Sequence, residues 1–235
     1  MLDPIRIHSA LAEAMSARSY DTMTPVQEAV LEIEQPDADL LVSAQTGSGK
    51  TLAFGLSIAA TLLKKNAEFG RPNLPFALII APTRELALQV RKELEWVYAR
   101  TKAQFASCVG GMDPRAERRI LESGAHIVVG TPGRLRDHIE RGALSLSDIK
   151  AVVLDEADEM LDMGFREDLT FILEKAPVNR RTLLFSATVP IQIAKMARTY
   201  QKEAIRISVS SKKTQHLDIN YHAIKIQPSD RDKAI

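Results

Sequence analysis

An α/β fold, with a mainly parallel central sheet and helices on both faces, is predicted by two features of the sequence. Short apolar runs alternate with amphipathic stretches of helical length along the 235 residues. Most of these runs are apolar continuously rather than at every second residue, which is typical of strands covered on both faces. Regular alternation of strand and helix implies right-handed crossovers between parallel strands. Ligands of such sheets bind beyond the carboxyl ends of the strands, so we expect the functional residues there.

The predicted elements follow one another in regular order. The apolar runs are predicted strands: residues 40–44, 76–81, 104–109, 126–130, 151–154, 182–185 and 204–209. The amphipathic stretches include the predicted helices 51–65, 85–100, 114–122, 165–174 and 191–200. Residues 66–75 are rich in glycine, proline and asparagine and are predicted to form a surface loop.

The chain is predicted to hold one domain and the start of another. Residues 1–209 form the first domain, and the polar residues 210–216 form a linker. The strand-like run in residues 217–235 has no helix after it to cover it. We therefore expect this last segment to begin a second domain.

Composition excludes several classes of protein. The formal net charge is +1, which excludes binding to nucleic acid through a general basic field. Cys108 is the single cysteine, so no internal disulfide can form, and with no signal-peptide pattern at the N-terminus the cytoplasm is the expected compartment. No apolar run approaches the roughly 18 residues that span a bilayer. The five histidines are scattered without metal-ligand spacing.

A glycine-rich segment lies between the first predicted strand and the helix that follows it. Its pattern matches G-x-x-x-x-G-K-[ST], with Ala44 in place of the first glycine. Gly47 and Gly49 permit the positive φ angles that turn successive N–H groups inward, and the helix adds the positive end of its dipole. Lys50 would reach the β- and γ-phosphates, and the Thr51 hydroxyl would bind Mg²⁺. The segment predicts a nucleoside triphosphate site formed by Ala44, Gln45, Thr46, Gly47, Ser48, Gly49, Lys50 and Thr51.

Two carboxylates directly follow the predicted strand 151–154. Asp155 would lie at the carboxyl edge of the sheet, where it can hold Mg²⁺ through water. Glu156 can orient and deprotonate an attacking water. An acidic first turn of a helix is the alternative interpretation, since Asp and Glu are favoured there. The nearby phosphate loop favours catalysis, so Lys50, Asp155 and Glu156 are the predicted catalytic residues for hydrolysis of a nucleoside triphosphate.

Residues 155–158 spell D-E-A-D, and together with the phosphate loop they resemble the DEAD-box RNA helicases. Further segments match motifs of that family in the family's order: residues 20–27, 82–86, 110–111, 131–134 and 186–188. The resemblance implies a RecA-like P-loop NTPase domain that binds ATP, Mg²⁺ and RNA.

Two of these segments, residues 82–86 and 131–134, each follow a predicted strand and begin a helix. The helix N-termini, with Arg84 and Arg134, make two anion sites at one sheet edge, which suits successive phosphates of one nucleic-acid strand. Taken alone, each segment is better explained as an ordinary capped helix, with Thr83 and Thr131 as N-caps. The resemblance implies contacts to the RNA backbone, with little sequence specificity, by Pro82, Thr83, Arg84, Gly111, Thr131, Pro132, Gly133 and Arg134.

Ser186 and Thr188 lie at the end of another predicted strand. Their hydroxyls can hydrogen-bond Asp158. The resemblance implies that this contact couples hydrolysis to strand separation. The alternative is that the two hydroxyls cap the helix that follows Pro190.

Tyr20 and Gln27 belong to a segment that resembles the family's adenine-binding Q motif. The amide of Gln27 offers both a donor and an acceptor to adenine, and Tyr20 can stack on the ring. Thr24 and Gln27 also have the spacing of a capping box, and spacing alone does not separate the two interpretations. The resemblance favours adenine, and hence ATP over GTP. The family usually has glycine where this chain has Ser19.

The resemblance also implies an ATP-dependent RNA helicase in which a second RecA-like domain of the full-length chain closes over ATP and RNA. The sequence contains no motif of that domain, so the isolated chain is expected to hydrolyse ATP barely or not at all. Two alternatives stay open. One is an ATP-dependent RNA clamp that holds RNA without separating duplexes, and the other is a DNA-translocating P-loop ATPase.

Overall fold

The structure, a computed structural model, describes residues 7–63 and 68–209. Within them the strands are β1 (Leu40–Ala44), β2 (Ala77–Ile80), β3 (Phe105–Cys108), β4 (Ile127–Gly130), β5 (Ala151–Leu154), β6 (Arg181–Ser186) and β7 (Ile205–Val209). The helices are α1 (Ser9–Ser16), α2 (Pro25–Leu31), α3 (Lys50–Leu63), α4 (Arg84–Val97), α5 (Pro114–Ser123), α6 (Pro132–Glu140), α7 (Ala157–Asp162), α8 (Arg166–Lys175) and α9 (Ile191–Tyr200).

All seven strands form one sheet, in the order β3-β4-β2-β5-β6-β1-β7. Every neighbouring pair is parallel, so the carboxyl ends of the strands share one edge of the sheet. The order divides that edge into two halves. Strands β3, β4 and β2 form one half, and β5, β6 and β1 form the other, with β7 beyond them. The predicted α/β fold with a parallel sheet is confirmed.

Helices cover both faces of the sheet because successive strand residues point to opposite sides. In β5, Val153 packs into a core with α1, α2, α3 and α4. Its neighbours Val152 and Leu154 pack into a second core with α6, α7, α8 and α9. Burial on both faces explains why the central strands are apolar at every position rather than at every second one.

Each predicted strand matches an observed strand to within one residue at either end. Helix α1 is missing from the prediction. Its N-cap residue His8 makes no side-chain capping bond, so the sequence carries no start signal at this point.

The predicted linker 210–216 and the predicted second-domain segment 217–235 lie outside the described residues. Among the helices that the structure describes, none is long and apolar enough to cross a membrane.

Candidate functional site

The predicted functional segments line the carboxyl edge of the sheet in two groups. We call the group at the ends of the neighbouring strands β1, β6 and β5 the phosphate-loop side: residues 44–51, 186–188 and 155–158. We call the group after β2, β3 and β4 the arginine side: residues 82–84, 110–112 and 131–134. The strand order thus separates the residues predicted to hold a nucleotide from those predicted to hold nucleic acid.

The loop between β1 and α3 has the backbone that its glycines predict. Gly47 and Gly49 have φ angles of +76° and +90°, in the left-handed region that favours glycine. Lys50 is buried, and its Nζ donates to the carbonyl oxygens of Ala44 and Gln45, each at 3.1 Å. Because an ammonium group has three donors, one N–H of Lys50 has no partner among these loop carbonyls. The lysine is therefore held in place with a donor left for an anion.

Asp155 lies where β5 leaves the sheet. Its N–H donates to Ile80 O at the end of β2, at 2.9 Å, and this hydrogen bond fixes Asp155 at the edge of the sheet. The side chain is 2% exposed, and its Oδ1 has no hydrogen-bond partner among the described residues. Burial raises the pKa of the Asp155 carboxyl to about 7, the charge of Lys50 opposes this rise, and that of Glu156 adds to it.

A buried carboxylate with an unsatisfied oxygen suits a divalent cation, because Mg²⁺ prefers oxygen ligands and supplies the missing countercharge. Asp155 and Thr51, the second residue of α3, are the residues that would hold it. The donor set present therefore fits the predicted metal.

Glu156 occupies a conformation that is uncommon for residues other than glycine. Its φ and ψ are +53° and +52°, in the left-handed region. Such backbone strain costs on the order of 1–3 kcal/mol and is concentrated at functional sites. The turn brings Glu156 Oε1 to 3.5 Å from Thr46 Oγ1 of the phosphate loop. A predicted general base thus lies at the rim of the predicted nucleotide site.

Asp158 connects the segment after β5 to the segment after β6. Its Oδ2 accepts from Thr188 N at 2.9 Å and from Thr188 Oγ1 at 2.8 Å, and its own N–H donates to Ser186 Oγ at 3.3 Å. Burial works to raise the pKa of Asp158, but the hydrogen bonds from Ser186 and Thr188 outweigh it and lower the pKa. The contact predicted between Asp158 and these two hydroxyl residues is present.

Gln27 is fully buried and makes contacts to the start of α2 and to the phosphate loop. Its Oε1 accepts from Thr24 N at 3.0 Å, as in a capping box, and from Tyr20 Oη at 3.0 Å. Its Nε2 donates to Gly49 O of the phosphate loop at 3.1 Å. A Cβ at position 49 would lie 2.5 Å from Gln27 Nε2, so only glycine fits there. Ser19, where the family usually has glycine, has a φ of +53°, a conformation that glycine adopts without strain.

On the arginine side, the first helix is capped as predicted, since Thr83 Oγ1 accepts from Leu86 N at 3.2 Å. Pro82 is buried, and Arg84 is exposed. Arg84 Nη1 donates to Gly111 O at 3.3 Å. Gly111 has a φ of +77°, and a Cβ there would approach Arg84 Nη1 to 3.0 Å. The close approach of the arginine to the backbone explains this glycine.

The second helix of the arginine side departs from the prediction in one respect. Thr131 is the N-cap residue of α6, with Pro132 and Gly133 in the first turn, but its side chain makes no capping hydrogen bond. Arg134 Nη1 donates to Met112 O at 3.2 Å and to Glu117 Oε2 at 2.8 Å. Both arginines therefore point their Nη1 groups at carbonyls of the same turn, residues 110–112.

Glu117 was missed by sequence reasoning. It is 2% exposed, although it belongs to α5, whose other charged residues are all exposed. A signal was present: Glu117 is four residues before Leu121 and so shares its inward face, where an unpaired charge is not expected.

Cys108, Glu117 and His138 place potential ligand atoms within 4.8 Å of one another, a set that could hold a metal ion. The guanidinium of Arg134 already binds Glu117, and burial raises the pKa of the Cys108 thiol. A metal ion here would meet a positive charge and a protonated thiol, so we assign none to this cluster.

The chain is similar to known proteins in sequence and in fold. The sequence model of the DEAD/DEAH box helicase family matches residues 24–196. The chain is 43% identical over 208 residues to DEAD-box ATP-dependent RNA helicase 53 of Oryza sativa subsp. japonica, an alignment that covers 88% of this chain and 34% of that protein. It is 44% identical over 220 residues to DEAD-box ATP-dependent RNA helicase CshA of Streptococcus pneumoniae, covering 92% of this chain and 40% of that protein.

A crystal structure of a DEAD box protein from the hyperthermophile Methanococcus jannaschii matches with a TM-score of 0.79 at 34% sequence identity, covering 88% of this chain and 55% of that one. The chain thus spans less than half the length of the two sequence relatives. The family match extends over the phosphate loop, the D-E-A-D turn and both arginines. This chain belongs to the DEAD/DEAH box helicase family.

Proposed function

We propose that residues 1–209 are the first RecA-like domain of a DEAD-box ATP-dependent RNA helicase. In the full-length protein, ATP hydrolysis would drive local separation of RNA duplexes or remodelling of RNA–protein complexes. The grouping of Lys50, Asp155 and Glu156 around one glycine-rich loop carries the proposal. The names of the sequence relatives, ATP-dependent RNA helicases, support the same activity.

In this proposal the loop holds the phosphates of ATP. The N–H groups around Gly47 and Gly49 and the N-terminus of α3 bind the phosphate oxygens, and the third N–H of Lys50 donates to the β- and γ-phosphates. Asp155 and Thr51 would hold Mg²⁺, which would supply positive charge to offset the charge that develops on the γ-phosphate. The low dielectric around the buried Lys50 strengthens these contacts.

Glu156 orients the attacking water and takes its proton. Thr46 Oγ1, at 3.5 Å from Glu156 Oε1, restrains the side chain at the rim of the loop. Tyr20 and Gln27 recognise adenine. Because Gln27 already donates to Gly49 O, adenine recognition is linked directly to the backbone of the phosphate loop.

The arginine side binds the backbone of RNA. Two helix N-termini and two arginines face one sheet edge, an arrangement suited to successive phosphates, and contacts of this kind carry no sequence information. Asp158, through Ser186 and Thr188, couples the state of the nucleotide to the RNA. A second RecA-like domain of the full-length chain completes both sites, and the cytoplasm is the proposed compartment.

The proposal is tested by nucleotide binding and turnover. We expect the 235-residue chain to bind ATP with Mg²⁺ weakly, in preference to GTP, and to release almost no phosphate with or without RNA. The full-length protein should hydrolyse ATP with stimulation by RNA, and Glu156→Gln should abolish turnover while nucleotide binding persists. Brisk RNA-stimulated turnover by the isolated chain, or equal binding of GTP, would contradict the proposal.

Two assays separate the proposal from its alternatives. In a competition between RNA and DNA oligomers of one sequence, only the 2′-hydroxyl differs in kind, so a preference for DNA would favour a DNA translocase. A strand-displacement assay on the full-length protein distinguishes a helicase from a clamp that holds RNA without separating duplexes. We expect preference for RNA and displacement of short duplexes.

A further inference from the structure

Arg134 is held at one end of its guanidinium and left open at the other. Its Nη1 makes two hydrogen bonds, to Glu117 Oε2 at 2.8 Å and to Met112 O at 3.2 Å. Arginine has five N–H donors in a fixed fork, so Nε and Nη2 keep three donors. These three have no partner within the described residues, and the side chain is 15% exposed. Neither Nε nor Nη2 is a fully buried atom, so the fork edge that suits a phosphate reaches solvent.

Glu117 is the residue that fixes this orientation. It is 2% exposed, and both of its carboxylate oxygens are engaged. Oε1 accepts from Val109 N at 2.9 Å, at the start of the turn after β3. Oε2 accepts from Arg134 and lies 2.7 Å from His138 Nε2. One side chain of α5 thus joins the end of β3 to two residues of α6.

The contact to Val109 extends the effect of Glu117 to the second arginine. The turn that begins at Val109 supplies Gly111 O to Arg84 and Met112 O to Arg134. A carboxylate that fixes the start of this turn therefore fixes the carbonyls that hold both arginines.

Charge supports the same role. Burial works to raise the pKa of Glu117, but hydrogen bonds from His138, Val109 N and Arg134 outweigh it and lower the pKa. The carboxylate is ionised at neutral pH and forms a charge-assisted bond that is shielded from water, which is stronger than an exposed ion pair.

We propose that Glu117 is a positioning residue for the nucleic-acid contact: by binding Nη1 of Arg134 and the turn after β3, it presents the Nε and Nη2 edge of Arg134 to an RNA phosphate. The RNA part of this inference rests on the proposed function. The orientation of Arg134 does not, because it concerns contacts within the protein alone.

The first experiment needs no RNA. Glu117→Gln keeps an oxygen that accepts from Val109 N, but its amide nitrogen cannot accept from Arg134. We expect ¹⁵N relaxation of the Arg134 Nε–H group to show an ordered side chain in the wild type and a mobile one in the variant. Glu122→Gln, the same substitution on an exposed residue of α5 that pairs with Arg118, is the matched control and should leave Arg134 ordered.

The second experiment is a double-mutant cycle on the affinity for single-stranded RNA, measured by fluorescence anisotropy at low salt. Glu117→Gln should weaken binding about tenfold, the scale of one charge-assisted hydrogen bond. Arg134→Met should weaken it at least as much, and the double variant no further than Arg134→Met alone. A merely structural role of Glu117 would give additive losses.

The outcomes separate the two levels of the inference. Additive losses, or an Arg134 that stays ordered in Glu117→Gln, overturn the positioning role. If neither the wild type nor any variant binds RNA, but Arg134 becomes mobile in Glu117→Gln, the positioning role is supported. The proposed RNA contact is then contradicted. Should Glu117→Gln not fold, Glu117→Asp keeps the charge but is one methylene too short to reach Val109 N and Arg134 together, and the same loss of order is expected.

Discussion

Asp155 and Glu117 are buried to the same degree at the same sheet edge, yet their carboxyl groups are in opposite states. Each is 2% exposed. On the phosphate-loop side, Asp155 has an oxygen without a partner among the described residues and a pKa raised to about 7, mainly by burial. Behind the arginine side, Glu117 has partners on both oxygens and a lowered pKa.

The difference shows that partners, rather than burial alone, decide the charge of a buried carboxyl group. Glu117 receives a guanidinium and a backbone N–H from the fold itself, so both oxygens of its carboxylate have partners before any ligand binds. Asp155 has Lys50 nearby, which offsets only part of the cost of burial. Ionisation of the buried Asp155 carboxyl therefore costs free energy, and a bound cation would remove that cost.

The largest expected effect is on stability, in Asp155→Asn. The folded pKa of Asp155, about 7, lies above the unfolded value of 3.8. The folded wild type therefore holds a proton that the unfolded chain has lost, and its stability falls as pH rises from about 4 to about 7. Asparagine does not titrate. Without Mg²⁺ or nucleotide, the variant should be more stable than the wild type at pH 8 by on the order of 3–4 kcal/mol.

Urea unfolding in EDTA between pH 4 and pH 8 measures this effect. The stability advantage of Asp155→Asn should be near zero at pH 4, and Mg²⁺ with nucleotide should raise the stability of the wild type alone. Glu117→Gln should have the opposite effect on stability. It removes an ionised carboxylate whose two oxygens both have partners, so the protein should be less stable than the wild type at pH 8. A stability difference between Asp155→Asn and wild type that does not change with pH would contradict this account.

The next effect is on nucleotide affinity, in Lys50→Met. Methionine has an unbranched chain that can fill the buried path of the lysine, but it removes the ammonium that donates to the loop carbonyls and to the proposed phosphate. Affinity for ATP with Mg²⁺ should fall about 100-fold, as when one partner of a buried charge pair is truncated. The pKa of Asp155 should rise further, since Lys50 lowers it.

Isothermal titration calorimetry measures the affinity, with the exposed Lys92→Met on α4 as the matched control. RNA affinity without nucleotide should be unchanged, because the hydrogen bonds that hold Arg84 and Arg134 involve no residue of the phosphate-loop side. A parallel loss of RNA affinity would show that the two halves of the edge are not independent.

The phosphate-loop side could be predicted from the sequence because its chemistry is local. Gly47, Gly49 and Lys50 lie within a few residues, and a strand before them and a helix after them are enough to define the loop. The parallel sheet then brings the ends of β1, β6 and β5 together, so the contact between Asp158 and Thr188 followed from the fold class.

The contacts that hold the residues of the arginine side in place could not be predicted from the sequence, because they join residues that are far apart in the chain. Glu117 binds Arg134 seventeen positions away, and its spacing to Leu121 indicates that it faces inward but not which residue it binds. The left-handed conformation of Glu156 could not be predicted either, since acidic residues at this point favour an ordinary helix start. The missing cap at Thr131 shows that an N-cap residue type at the right position does not ensure the bond.

A smaller effect is expected for Arg84→Met on the arginine side. Arg84 is exposed, and among the residues that the structure describes it is held only by Gly111 O at 3.3 Å, without a carboxylate behind it. We expect RNA affinity to fall about fivefold, less than for Arg134→Met, because a less ordered arginine loses more entropy on binding. The slope of log affinity against log salt should decrease by about 0.7, the value for one phosphate contact to a single strand.

Fluorescence anisotropy over a salt series measures both quantities. Arg100→Met, an exposed arginine beyond the other end of α4, is the control and should not change them. A larger loss for Arg84→Met than for Arg134→Met would contradict the idea that Glu117 makes Arg134 the better organised of the two.

The smallest effect is expected at Thr188 on the phosphate-loop side, because one of its two hydrogen bonds to Asp158 remains after substitution. Thr188→Val removes the hydroxyl that donates to Asp158 Oδ2 at 2.8 Å and leaves the backbone bond at 2.9 Å in place. Because Thr188 is exposed, the loss of stability at pH 7 should be about 0.5 kcal/mol, the low end for a hydrogen bond. Thr188→Ser keeps the hydroxyl and should lose less.

The pH dependence of this loss distinguishes Asp158 from Asp155. The folded pKa of Asp158 is lowered below 3.8, so its stabilising contribution is present above that value and disappears as pH falls through the folded pKa. The difference between wild type and Thr188→Val, measured by urea unfolding, should therefore shrink below pH 4. The contribution of Asp155 is the same in both proteins and cancels. A difference that did not shrink as the pH falls would mean that the hydroxyl stabilises the fold without its bond to the ionised Asp158.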